Sequence, residues 1–459
     1  MMKPYSSRQI SHLVVLIIIA AVLCVSWAVS TTNTQLMAAP PAGTGRTLYD
    51  PDPKHLWNRL HQALHIRFRD GDGDRDAPVS ADQKFDPNDL DPFFWDRHHP
   101  YLLSGPGHRE ALNLLDEFLD KKGEGLVKEP LKRALLQRDL WALFDWAADP
   151  DWPKLDEKKR FVKERGELQS RLVRVLPRLA LSAAEIEKLP DNYAAAVKAK
   201  RYPAEFQADR KSAAFLPADL RDPKGPWVLL GDSGVGPLAG QHVQFFGGRS
   251  TFMIFLRLPE GRDPTLKYVD QLSEWLKKGA KGGPATVPQF SANTQFALVR
   301  RTLLLDDRGE IRPTPLTEQV QLQILHDPTT APDGPNTAPN GKPGVQTFLE
   351  FRLRREQLLA GKAGGLAAVP DDEGEWQHLT FYGGGPLPDG FAVVLPIMAS
   401  CRRCHSHGPG VLSINSFHNS HGGWHITSSG DQERRISAWK RQQDSWKLLE
   451  EIKKSVPSR

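Results

Sequence analysis

Cysteine is close to absent: three in 459 residues, at positions 24, 401 and 404. So sparse a supply excludes a disulfide framework for a chain of this size, and leaves the pair Cys401 and Cys404 to be explained by one local purpose. Methionine is as scarce, with five residues and none beyond Met398. Nor is there a dense Lys/Arg tract. The 60 basic residues nearly balance 55 acidic ones, for a net charge of +5, and a charge so small and so dispersed does not suggest nucleic acid. Long apolar runs are missing except for one, from Leu13 to Val29, which carries no charge and follows a polar opening that holds Lys3 and Arg8.

That single run has the form of a secretory signal or an anchor. Ala28 and Ser30 stand where a signal peptidase reads small residues, which favours cleavage near Ser30. Leu23, before Cys24, is too large for the position a lipoprotein signal would give to a small residue. The expected location is therefore exported, in a periplasm or on the outer face of the cytoplasmic membrane, with contact to the membrane only through an uncleaved N-terminal anchor. About 430 residues would remain after cleavage, ample for two packed domains.

Residues 31–45 are small and Pro-rich, a linker composition. From there to residue 222 the periodicity is helical. Leu112, Leu114, Leu115, Phe118 and Leu119 share one stripe in 108–121, Pro130 opens a helix that runs on to Trp146, another is read over 156–179, and Ser182 with Glu185 forms a capping-box pattern before a short one. From Gly225 the pattern changes to short β-branched and aromatic runs at 227–230, 242–246, 251–258, 295–305, 319–325, 347–353 and 391–395, interrupted by one helix at 265–278. Residues 327–344 form a Pro/Asn/Gly loop. The tail, 431–456, returns to helical spacing with Ile436, Trp439, Trp446, Leu449 and Ile452 on one stripe. The expected class is α+β: a signal peptide or anchor (1–30), a linker (31–45), a helical domain (46–222), a mainly antiparallel β domain (223–395), and a C-terminal segment with a closing helix (396–459).

The chemistry is concentrated in Cys401-Arg402-Arg403-Cys404-His405. Two thiols three residues apart can reach the two vinyl groups of one haem, and the next residue then lies under the iron with its imidazole as ligand. This motif resembles the attachment site of c-type cytochromes. The resemblance covers five residues and implies one covalent haem c, bound through Cys401 and Cys404 with His405 as proximal ligand. The leading role it implies is electron transfer, leaning away from an enzyme, with a redox partner protein. Small cytochromes c of the common kind carry the motif early and a Met ligand well downstream. Here 54 residues follow His405 and none is Met, while Met398 is too close along the chain to cross to the other haem face. The candidate distal ligands are instead His407, His418, His421 and His425, set among glycines and the aromatics Phe417 and Trp424. The haem segment alone is too short to enclose a porphyrin, so the β domain, through Phe381, Tyr382 and Phe391, is expected to supply a wall.

Two alternatives use the same atoms. A haem enzyme or gas sensor would need an open sixth position on the iron. A zinc-stabilised exported binding protein would pair Cys401 and Cys404 with His418 and His421, or with His421 and His425, but leaves His405 a coincidence. Arg402 and Arg403 are placed to hold haem propionates or to meet an acidic partner.

Other signals are incomplete. Gly231-Asp232-Ser233-Gly234 is similar to nucleophile segments of serine hydrolases, but its acid and histidine partners fall in the wrong chain order. The spacing Gly234, Gly236, Ala239 contains Pro237 and lacks a following helix, so a turn is the better reading than a dinucleotide site. Asp70, Asp72, Asp74 and Asp76 alternate as in calcium loops, but Arg75 replaces the turn glycine and Ala81 the closing glutamate.

Overall fold

A computed structural model describes residues 47–65, 101–103, 105–148, 161–207, 214–230, 239, 242–243, 246–277, 287–330, 345–371, 374–377, 393–396, 398, 402, 405, 410–414 and 432–455. It is an α+β fold, as the change in periodicity predicts. In chain order the helices are α1 (Leu56–His65), α2 (Gly105–Asp120), α3 (Pro130–Ala147), α4 (Val162–Leu179), α5 (Ala183–Glu187), α6 (Asn192–Lys198), α7 (Arg262–Lys277), α8 (Arg355–Leu359), α9 (Gln432–Gln442) and α10 (Asp444–Ser455). The strands are β1 (Val228–Leu229), β2 (Ser250–Arg257), β3 (Thr294–Leu305), β4 (Ile311–Leu325), β5 (Gln346–Leu353), β6 (Leu366–Ala368), β7 (Gly374–Gln377) and β8 (Val393–Pro396). Strands β1 to β6 make one sheet in sequence order, each pair antiparallel, while β7 and β8 pair with each other.

The helical half forms for the reasons its sequence gives. In α4 the buried residues Leu168, Leu172, Val175, Leu176 and Leu179 recur at helical spacing. The capping box of α5 is realised in both directions: Ser182 accepts from the Glu185 amide, and the Glu185 carboxylate accepts from the Ser182 amide at 2.8 Å. Helix α3 is different, being buried on nearly every face from Ala134 to Ala147, with Gln137, Arg138 and Asp139 enclosed. Buried polar groups need partners. Gln137 supplies its own by imitating a strand: its amide donates to the Leu305 carbonyl at 2.9 Å, and its carbonyl accepts from the Leu305 amide at 3.0 Å. The apolar core is continuous from Leu48 through the sheet to Leu449, so helices and sheet share one interior.

Three local expectations change. Residues 242–246, read as a strand from their aromatics, contain a helical turn at His242 and Val243, and the Phe246 amide donates to the His242 carbonyl at 3.0 Å. Strand β4 begins at Ile311, eight residues before the expected Gln319, because Pro313 and Pro315 lie where its pairing with β3 is irregular. The tail helix breaks at Gln443 into α9 and α10, although Ile436, Trp446 and Leu449 are buried as the stripe requires.

Candidate functional site

Antiparallel register assigns each sheet residue to a face. Arg300 of β3 pairs with Gln319 of β4, which pairs with Arg352 of β5; Gln321 pairs with Glu350, and Gln323 with Phe348. Across β2, Phe252 pairs with Arg300 and Ile254 with Leu298. One face therefore carries Phe252, Ile254, Leu298, Arg300, Gln319, Gln321, Gln323, Phe348, Glu350 and Arg352. The other carries Met253, Phe255, Ala297, Val299, Val320, Leu322, Ile324 and Phe351. The second face is ordinary core, with Tyr202 packed edge-on against Phe351 at 4.8 Å between centroids.

The first face is polar and still buried: Arg300, Gln319, Gln321, Gln323 and Glu350 are all less than a tenth exposed. The Glu350 carboxylate accepts from Gln319 at 2.8 Å, from Gln321 at 3.2 Å and from Arg352 at 2.5 Å. Three donors satisfy the carboxylate oxygens within the protein. The guanidinium of Arg300 lies 3.7 Å over the Phe246 ring and 3.6 Å from Glu318. Glu318 is the extra residue of the bulge opposite Arg300 and Arg301.

His405 rests on this face. Its ring stacks at a tilt on Phe348, 5.1 Å between centroids, and its Nδ1 lies 2.9 Å from the Ser413 carbonyl oxygen. A carbonyl only accepts, so Nδ1 carries the proton of this hydrogen bond. Ser413 is itself fixed. Its hydroxyl donates to the Gly410 carbonyl at 2.7 Å and accepts from Gln323 at 3.2 Å. Gly410 has φ +51°, and a Cβ there would come within 2.6 Å of the Pro328 carbonyl, so the turn after the motif depends on glycine. The amide of Gln346 reaches the His405 carbonyl at 3.5 Å.

A metal-ligating imidazole commonly has one nitrogen held by a backbone acceptor and its ring orientation fixed in this way. The donor chemistry at His405 fits haem iron. Cys401 and Cys404 lie outside the described residues, as do the candidate distal ligands His407, His418, His421 and His425 and the expected wall residues Phe381, Tyr382 and Phe391. The Asp70–Asp76 and Gly231–Gly234 segments also lie outside them. Among the described residues no group of three or more His, Cys, Asp and Glu is placed to hold a metal ion, and no helix is long and apolar enough to cross a membrane. Arg402 forms an ion pair with Asp371 at 2.8 Å. Met398 is buried, while Met253 falls on the sheet face opposite His405.

Sequence reading did not single out Phe348, Ser413, Gln323 or the buried Glu350. A signal for the polar face was available in β4, where glutamines at 319, 321 and 323 alternate with Val320, Leu322 and Ile324. Alternation of that kind is usually a solvated face, and here it is covered. Compared with known protein families, curated proteins and solved structures, the chain matches none.

Proposed function

We propose that this chain is an exported electron-transfer protein with a single haem c, joined to Cys401 and Cys404 and ligated on its proximal side by Nε2 of His405. The observation that supports the reading is the hydrogen bond from His405 Nδ1 to the Ser413 carbonyl, which fixes the ring orientation in the way the backbone partner of a proximal ligand does. When bound, the haem supplies one-electron chemistry. The protein's part is to hold the imidazole and to cover the sheet side with Phe348. Buried charge around the site tunes the affinity for the electron, since Glu350 and Arg300 act in opposite senses on any positive centre nearby. Zinc would also accept a lone pair at Nε2, but a zinc site would not need the histidine to follow the second cysteine directly.

The test is retention of haem after denaturation. Protein produced in a host that matures haem c should keep peroxidase-type haem stain on a denaturing gel, and C401S with C404S should abolish it. A colourless wild type holding one zinc per chain would overturn the reading.

A further inference from the structure

Above the polar sheet face, on the β2 side, sits a second histidine. The turn at His242 is pinned by ring contacts: His242 to Phe252 at 5.6 Å and Phe246 to Phe252 at 6.0 Å, with Arg300 closing over Phe246. Phe252 belongs to the same face as Phe348, on which His405 rests. The two imidazoles thus approach one buried polar surface from its two ends, His242 over β2 and β3, His405 over β4 and β5. Burial is the first cause that disfavours a charge on His242; His405 and then Arg300 act in the same sense, and Glu350 opposes them. His242 is half-buried.

Other described side chains are poorly placed for the same task. His326 has both ring nitrogens engaged, with Asn293 at 3.1 Å and Thr347 at 2.8 Å. His108 is held between the Leu102 carbonyl at 2.8 Å and Glu167 at 3.1 Å in the helical half. Met253, the sulfur in the nearest strand, points to the opposite face.

We infer that His242 is the second axial ligand of the iron held by His405, an assignment that rests on the haem reading above. Its consequence is a closed, six-coordinate, bis-histidine centre in which the distal ligand comes from the β2 side of the sheet fold and the proximal one from the C-terminal segment. Electron transfer then follows as the compatible role, because a ligand-saturated iron offers no site to a gas or a substrate. The pairing also ties loading to folding, since the iron would join segments 163 positions apart in the chain.

The experiment uses the full haem-loaded protein. Wild type should be low-spin in both oxidation states and should not bind carbon monoxide. H242A should become high-spin and bind carbon monoxide, and added imidazole should restore the low-spin spectrum, which a misfolded protein would not do. H242M should stay low-spin with a raised midpoint potential. H407A, H418A, H421A and H425A should each keep the wild-type spectrum. A low-spin H242A that excludes carbon monoxide, an unchanged potential in H242M, or a wild type already open to carbon monoxide would each overturn the assignment. Absence of covalent haem from the wild type would overturn the haem reading with it, and the denaturing-gel stain separates that failure from the others.

Discussion

Replacing Asp139 by Asn should be among the most damaging single changes available in the folded core. Asp139 sits in the middle of α3, 1% exposed, and accepts both guanidinium nitrogens of Arg355, one at 2.6 Å; Arg138 is 3.4 Å away and reaches on to Glu318 at 2.6 Å. Burial works against the charge on Arg355, and Asp139 more than offsets it, holding the guanidinium firmly protonated. Two carboxylates, Asp139 and Glu318, thus serve three enclosed guanidiniums, Arg138, Arg300 and Arg355. D139N keeps the shape and one hydrogen-bond acceptor but removes the charge that faces Arg355 and Arg138. A unit charge pair at about 4 Å is worth about 4 kcal/mol at the effective dielectric of a protein site, and an amide returns about 1 kcal/mol of that as a hydrogen bond. The expected loss is about 3 to 5 kcal/mol, the range found when one partner of a buried pair is removed, out of a total stability of about 5 to 15 kcal/mol.

The assay is urea unfolding followed by the fluorescence of the twelve tryptophans, with circular dichroism as a second probe. D139N should move the midpoint far below wild type. Replacing both members, D139L with R355M, should recover most of the loss, because no charge is then stranded. A D139N variant within about 1 kcal/mol of wild type would refute the reasoning, since it would mean that water or another anion already neutralises Arg355.

Two further predictions concern the same body. Gly364 has φ +63°, and a Cβ there would lie 2.0 Å from the Asn192 carbonyl oxygen, so G364A should cost about 2 to 5 kcal/mol from strain and overpacking, read as a lowered thermal midpoint; a variant as stable as wild type would show that the α6 turn can shift. Lys440 is buried, and burial, opposed by Asp145 at 2.6 Å, brings its pKa down to about 8; the unfolded chain therefore binds more protons between about pH 8 and 10.4, so the stability of wild type minus K440M should rise by about 2 kcal/mol from pH 7.5 to 9.5, and a flat difference would contradict the shift.

How much of this was legible in the sequence follows from the range over which each signal acts. Helical stripes and the Ser182–Glu185 box are local, and they match the observed elements, as do the long strands at 251–258, 295–305 and 347–353. The segment 242–246 misled because aromatics mark strands only on average: His242 and Phe246 face Phe252 from a turn above the sheet, which no local pattern encodes. Five residues carry the chemistry proposed at His405, yet Ser413 and Phe348, which hold that ring, are 8 and 57 positions away in opposite directions. The distal side was harder still. His242, the distal ligand inferred above, lies 163 positions upstream of His405 and no local pattern links the two, while the histidines that follow the motif lie outside the described residues.

That register also bears on why a single-haem carrier would be built on so large a scaffold. A polar face inside a protein is costly unless every member is satisfied, and this one needs Gln319, Gln321 and Arg352 to hold Glu350, and Glu318 to answer Arg300. Those positions are fixed only if the strands cannot slip. The bulge at Glu318 pins β3 to β4, Asn192 pins β4 through the Thr317 backbone at 2.7 and 2.9 Å, and Arg138 ties Glu318 to α3. Asp145, two turns further along α3, joins Arg249 at the head of β2 to Lys440 of α9 at 2.5 and 2.6 Å. The helical half is thus the buttress that sets the sheet's register, and the register sets how the His242 and His405 rings meet the polar face. Holding a carboxylate and a guanidinium at fixed places on that buried face takes a second layer, and the helices supply that layer.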